Sequence, residues 1–251
     1  MSAADSSLVS ALKDLKLGSI LSILSDVLGI ISVLPILLSL PRMFIRAETP
    51  REMLRQMMPG IVPAALLFAA ALAVGIISLY FWFRASNEFK RHDERLGIGK
   101  IGAILSIIGT CIIIVSLLIL FAFLPQMISM IRSAIEMPPG VTDEVVGRQF
   151  AMRFLSLIPI VVVTLIGGLI YLIGWILYGV MVMRLGEVQG LNPDFKYAGI
   201  LMIAGALLSL IGDLAIIGLV LELVSLIMIL VYSDMSIKSL TSSQAQATPT
   251  S

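Results

Sequence analysis

The 251-residue chain is 59% hydrophobic, carries 13% charged residues and has a mean hydropathy of +1.06. A soluble domain carries about 25% charged residues, and without them it exposes apolar patches that aggregate, so a soluble globular fold is excluded. The net charge of +1 offers nucleic acid no electrostatic footprint, and the expected partner is a lipid bilayer.

Residues 1–15 are a polar N-terminal segment, with a short amphipathic helix around Leu8–Leu15. Met1–Asp14 lacks a basic n-region and a cleavage site, so no signal peptide is read and the first apolar segment is expected to stay in the membrane. That span runs from about Leu17 to Leu40. A turn over Arg42–Glu48 leads to Thr49-Pro50-Arg51-Glu52, a capping box with proline at the first helical position. Pro59 and Gly60 are expected to interrupt the helix before the second span, Ile61–Phe83. Arg84–Lys100 reads as a charged loop, and the third span follows from about Ile101 to Leu124. Gln126–Glu136 keeps helical periodicity, Met137–Gly140 makes a turn, and Thr142 caps a helix feeding the fourth span, Leu155–Met183. The apolar stretch 197–232 would reach ~54 Å as one helix against a bilayer core of ~30 Å, so it should fold back near Gly212-Asp213. The polar tail from Ser239 is low in complexity and expected to be disordered.

Two stretches repeat: Lys16–Ile23 and Lys100–Ile107 both read K-x-G-x-I-L-S-I, and Lys196–Ile203 is a weaker third copy. Further matches continue the pattern in order: Pro41 with Pro125, Thr49 with Thr142, Gly75 with Gly168, and Trp82 with Trp175. A nine-residue insertion between Pro125 and Thr142 reconciles the two offsets. The units are therefore 16–99, 100–195 and a shortened 196–238, followed by the tail 239–251. Each holds an even number of spans, so the copies run in the same direction, unlike inverted transporter repeats. The expected fold is an all-α polytopic transmembrane helical bundle of about six spans, built from parallel two-helix hairpin repeats. Ten Lys and Arg fall on the side of both termini and seven on the other, which puts the termini of a multi-pass cell-membrane protein in the cytoplasm.

Asp26 and Glu222 are the only acids read near mid-bilayer. Asp26 lies ten residues beyond Lys16, ~15 Å deep, and Glu222 lies nine beyond Asp213, ~13 Å from the opposite side. Both sit beside small-residue stripes, Gly18, Ser22, Ser25, Gly29, Ser32 and Gly218, Ser225, which allow close helix approach. Intramembrane carboxyls are functional candidates by default, here an intramembrane site sharing a proton or cation. The plainer alternative is that each is protonated and bonded to a serine hydroxyl or backbone carbonyl, and the lack of a polar track along the other spans favours it.

Other residues carry blander readings. His92, the only histidine, is a solvated loop residue with no second ligand for a metal. Cys111 is a small packing residue in the third span. Trp82, Trp175, Tyr80 and Tyr178 read as an interfacial aromatic belt. Methionines such as Met53, Met57, Met127 and Met130 fill amphipathic faces. Phosphate loops, HExxH, GxSxG and paired cysteines are absent, so no catalytic residue, metal or cofactor is expected and the chain is read as no enzyme.

Arg84–Phe89 after a span, Asp194–Leu201, Ile203–Leu208 and the ending Ser233–Ser239 resemble a mainly archaeal domain-of-unknown-function family, catalogued as nine-nine-six. A second archaeal family, nine-seven-three, has a similar pattern. The resemblance implies a small polytopic membrane protein of archaea and brings no catalytic residues with it. The leading functional expectation is a non-catalytic accessory or scaffold component joined to other membrane-protein subunits. The runner-up is a small transporter or channel for a proton, cation or small solute, using Asp26 and Glu222.

Overall fold

The computed structural model describes residues 3–46, 50–136 and 143–246, with side chains at 6–34, 63–123, 155 and 157–242. These residues form six α-helices and no strand: α1 Ala3–Arg46, α2 Pro50–His92, α3 Gly97–Glu136, α4 Asp143–Leu185, α5 Phe195–Leu208 and α6 Ala215–Gln246. Five of them, all but α5, hold stretches long and apolar enough to cross a membrane. The 14 residues of α5 rise ~21 Å, short of a ~30 Å core. The all-α transmembrane bundle is thus the observed class, with five full-length helices and a short sixth. The long apolar stretch does break as expected, through Ser209–Ile211 and the 3₁₀ turn Gly212–Leu214.

Several boundaries differ from the sequence reading. The helix of α2 begins at Pro50 and continues past Pro59 and Gly60 without a break. The charged loop shrinks to Asp93 and the single 3₁₀ turn Glu94–Leu96, where the Asp93 carboxylate accepts from the Arg95 backbone N–H. The reason is amphipathicity: Ala85, Ser86, Phe89 and Leu96 are buried, so the charges line only the outer face. α6 continues through Ser239 to Gln246. Thr49, the Met137–Gly140 turn and Thr142 lie outside the described residues.

The chain divides into two compact units, residues 1–107 with 172–251, and residues 108–171. In the first, α1 packs on α2 and α6, and α5 packs on α6. Its core gathers at the helix ends near the termini. Leu8, Leu12 and Leu15 recur at helical spacing, and they share one buried cluster with Phe89, Leu96, Met181, Leu185 and Phe195. The N-terminal segment is therefore part of the core. Charges ring this end: Arg84 pairs with Asp14 at 3.0 Å, and Asp234 joins Lys16 at 2.7 Å and Lys238 at 2.8 Å. α4 and α5 approach closely, for a Cβ on Gly199 would run into the Gly179 carbonyl and the Met183 backbone.

In the second unit α3 and α4 meet at two glycines. A Cβ on Gly109 would stand 2.6 Å from the Gly167 carbonyl oxygen. Val115, Leu118, Leu165 and Leu169 point outward, as lipid contact requires. Cys111 is also exposed, so it is no packing residue.

Candidate functional site

Asp26 on α1 and Glu222 on α6 come within electrostatic reach of each other in the first unit. Each is half-buried. The third participant is Trp175 on α4, whose indole lies within electrostatic reach of the Glu222 carboxyl. Glu222 is held at a close crossing: a Cβ on Gly205 of α5 would lie 3.0 Å from the Glu222 backbone nitrogen, and one on Gly218 would lie 2.7 Å from the Gly205 carbonyl. Small residues here bring α5 and α6 together and fix the carboxyl in place.

The serines beside these acids have other partners. Ser25 donates to the Ala71 carbonyl at 2.9 Å, and Ser225 donates to the Ala198 carbonyl at 2.8 Å. Among the described residues Asp26 makes no hydrogen bond or ion pair, so a serine hydroxyl does not satisfy it.

One turn below Asp26 a polar cluster begins. Ser78 donates to the Gly18 carbonyl at 2.8 Å, which uses its only proton, so Ser22 donates to Ser78 at 2.6 Å. Trp82 Nε1 is shared between Ser78 at 2.9 Å and Ser22 at 3.1 Å. The Tyr178 hydroxyl donates to the Trp82 carbonyl at 3.1 Å and lies within electrostatic reach of Asp14. Ring centroids of Trp82 stand 5.2 Å from Trp175 and 4.4 Å from Tyr178.

This corrects the aromatic-belt reading: Trp82, Trp175 and Tyr178 are buried, and only Tyr80 is exposed. Ser22, Ser78, the Trp82 indole N–H and the Tyr178 hydroxyl thus form one hydrogen-bonded polar cluster in the first unit. The signal lay in α2, where Ser78, Trp82, Ala85 and Phe89 recur at helical spacing and all are buried.

Beside Asp26 an open groove of about 490 Å³ runs between α1, α2 and the start of α6. Its described walls include Ser25, Gly29, Phe68, Leu72 and Leu219, and Asp26 is the one charged residue among the described ones. His92 is exposed and remote in sequence from these residues. No group of three His, Cys, Asp or Glu side chains among the described residues could hold a metal ion.

No curated protein and no solved structure matches the chain. Of the two families that the sequence resembles, the second is the one found. The family model described as protein of unknown function, DUF973, matches residues 9–251, and the chain belongs to that family.

Proposed function

We propose that the protein is a small, non-catalytic transporter or channel of the cell membrane, in which Asp26 and Glu222 together take up a proton or cation. The observation that carries this reading is the convergence of two carboxyls from different helices within electrostatic reach of each other, with no Lys or Arg among the described residues beside them and Trp175 close to one of them. An intramembrane acid is costly, by ~2.5–3.5 kcal/mol on insertion scales, and its serine neighbours do not offset that cost here. The cluster of Ser22, Ser78, Trp82 and Tyr178 supports access from the end that carries Asp14. The Lys and Arg balance supports a cytoplasmic location for that end, and the family resemblance supports an archaeal cell. The hairpin duplication has support from Gly18 and Gly102, matched positions that both sit at close helix contacts, on Trp82 and on Gly174.

Reconstituted into proteoliposomes, the wild-type protein should carry an ion-gradient-driven flux of protons or Na⁺, and Asp26→Asn and Glu222→Gln should abolish it. Unchanged flux in both variants would sink the reading. The accessory role is the second reading, favoured by the apolar outward faces of both units. Gentle extraction followed by native-gel separation and mass spectrometry tests it, since stable co-migration with other subunits is its requirement.

A further inference from the structure

The groove beside Asp26 limits which cation fits. Among its described wall residues Asp26 is the only charged one, and the Ser25 hydroxyl beside it, whose proton goes to the Ala71 carbonyl, adds one further side-chain oxygen. A hard inorganic cation takes about six oxygen ligands when it sheds its water. Among the described residues this groove offers far fewer, the Asp26 carboxylate and the Ser25 hydroxyl, and the other side chains that line it are aliphatic or the Phe68 ring. A weakly hydrated organic cation has no such requirement and gains from apolar walls and an aromatic face.

The mouth of the groove points to the same class. Ile30, Val33 and Leu34, one to two turns beyond Asp26 on α1, belong to its lining and are 41%, 46% and 47% exposed. An apolar rim at that depth meets hydrocarbon rather than water, so the ligand enters sideways from the bilayer. The volume of about 490 Å³ suits a molecule of drug-like size rather than a bare ion.

We infer that the groove binds an amphiphilic organic cation, with its charge at Asp26 and its apolar body along Phe68, Leu72 and Leu219. The inference rests on reading the acid pair as a cation site and adds the class of cation and its route.

The test is equilibrium binding of radiolabelled tetraphenylphosphonium to the full-length protein in lipid nanodiscs. Two variants accompany the wild type. Asp26→Asn removes the charge. Gly29→Leu fills the groove, for a Cβ on Gly29 meets nothing within 4 Å and the helix accepts leucine readily. Saturable binding to wild type, weakened about tenfold or more in each variant, is expected. Binding that ignores Asp26→Asn would overturn the inference and mark the groove as a plain apolar crevice for lipid tails. Absent binding alongside Asp26-dependent proton or Na⁺ flux would also overturn it, while leaving the proposed function standing. Absent binding and absent flux would remove both.

Discussion

Gly18 lies directly against the Trp82 indole: a Cβ there would stand 2.8 Å from both Cδ1 and Nε1. The contact sets how close α1 comes to α2, and the ring cannot retreat, because Trp175 and Tyr178 stand against it.

Gly18→Ala should therefore destabilise the fold by about 1–3 kcal/mol through overpacking. Gly29→Ala on the same helix has open space and should be neutral or stabilising by about 0.5–1 kcal/mol, since alanine removes the entropic penalty of a helical glycine. Thermal unfolding of both variants in one detergent measures the contrast. Equal effects would mean that the close contact does not limit the helix spacing.

The shared indole hydrogen bond predicts non-additivity. Ser22→Ala or Ser78→Ala leaves Trp82 Nε1 one acceptor, so each should cost about 1 kcal/mol. The double variant strands a buried N–H and should cost about 1–3 kcal/mol beyond the sum of the singles. A double-mutant cycle read by unfolding gives the coupling, in which the Ser22–Ser78 hydrogen bond, lost in either single variant, enters with the opposite sign. Strict additivity would show that the two serines do not share the indole proton.

Asp234 accepts from both Lys16 and Lys238, and so ties the start of α1 to the end of α6. All three side chains are at least one-third exposed, so salt should screen the clamp. Asp234→Asn should lower the melting temperature in dilute buffer, and the gap to wild type should close near about 1 M salt. A gap independent of salt would mean that Asp234 acts through packing instead.

Much of this site was legible before the fold. Helical rise from Lys16 and from Asp213 predicts similar depths for Asp26 and Glu222, and the two come within electrostatic reach of each other. The fold-back near Gly212 followed from length alone. Trp175 was not legible as a partner. A tryptophan near a span end reads alike whether it faces lipid or a neighbouring helix, and only the rotation of α4 decides which. The groove was beyond sequence altogether, since it is the space left between side chains of three helices that are far apart in the chain. The charged run after Arg84 misled for a third reason: its spacing hides Phe89, which anchors that segment in the core.

Leu8, Ala11, Leu12 and Leu15 are buried within the first fifteen residues, ahead of the first long apolar run. An expression plasmid trimmed to begin at Lys16 would keep the long apolar run of α1 and the other four apolar helices, and should still insert. It would leave Phe89, Met181 and Phe195 facing a hole where four side chains belong, and would remove the carboxylate that Arg84 needs. Such a shortened product would pass a topology assay and fail a stability one. A fusion tag is better carried at the other terminus.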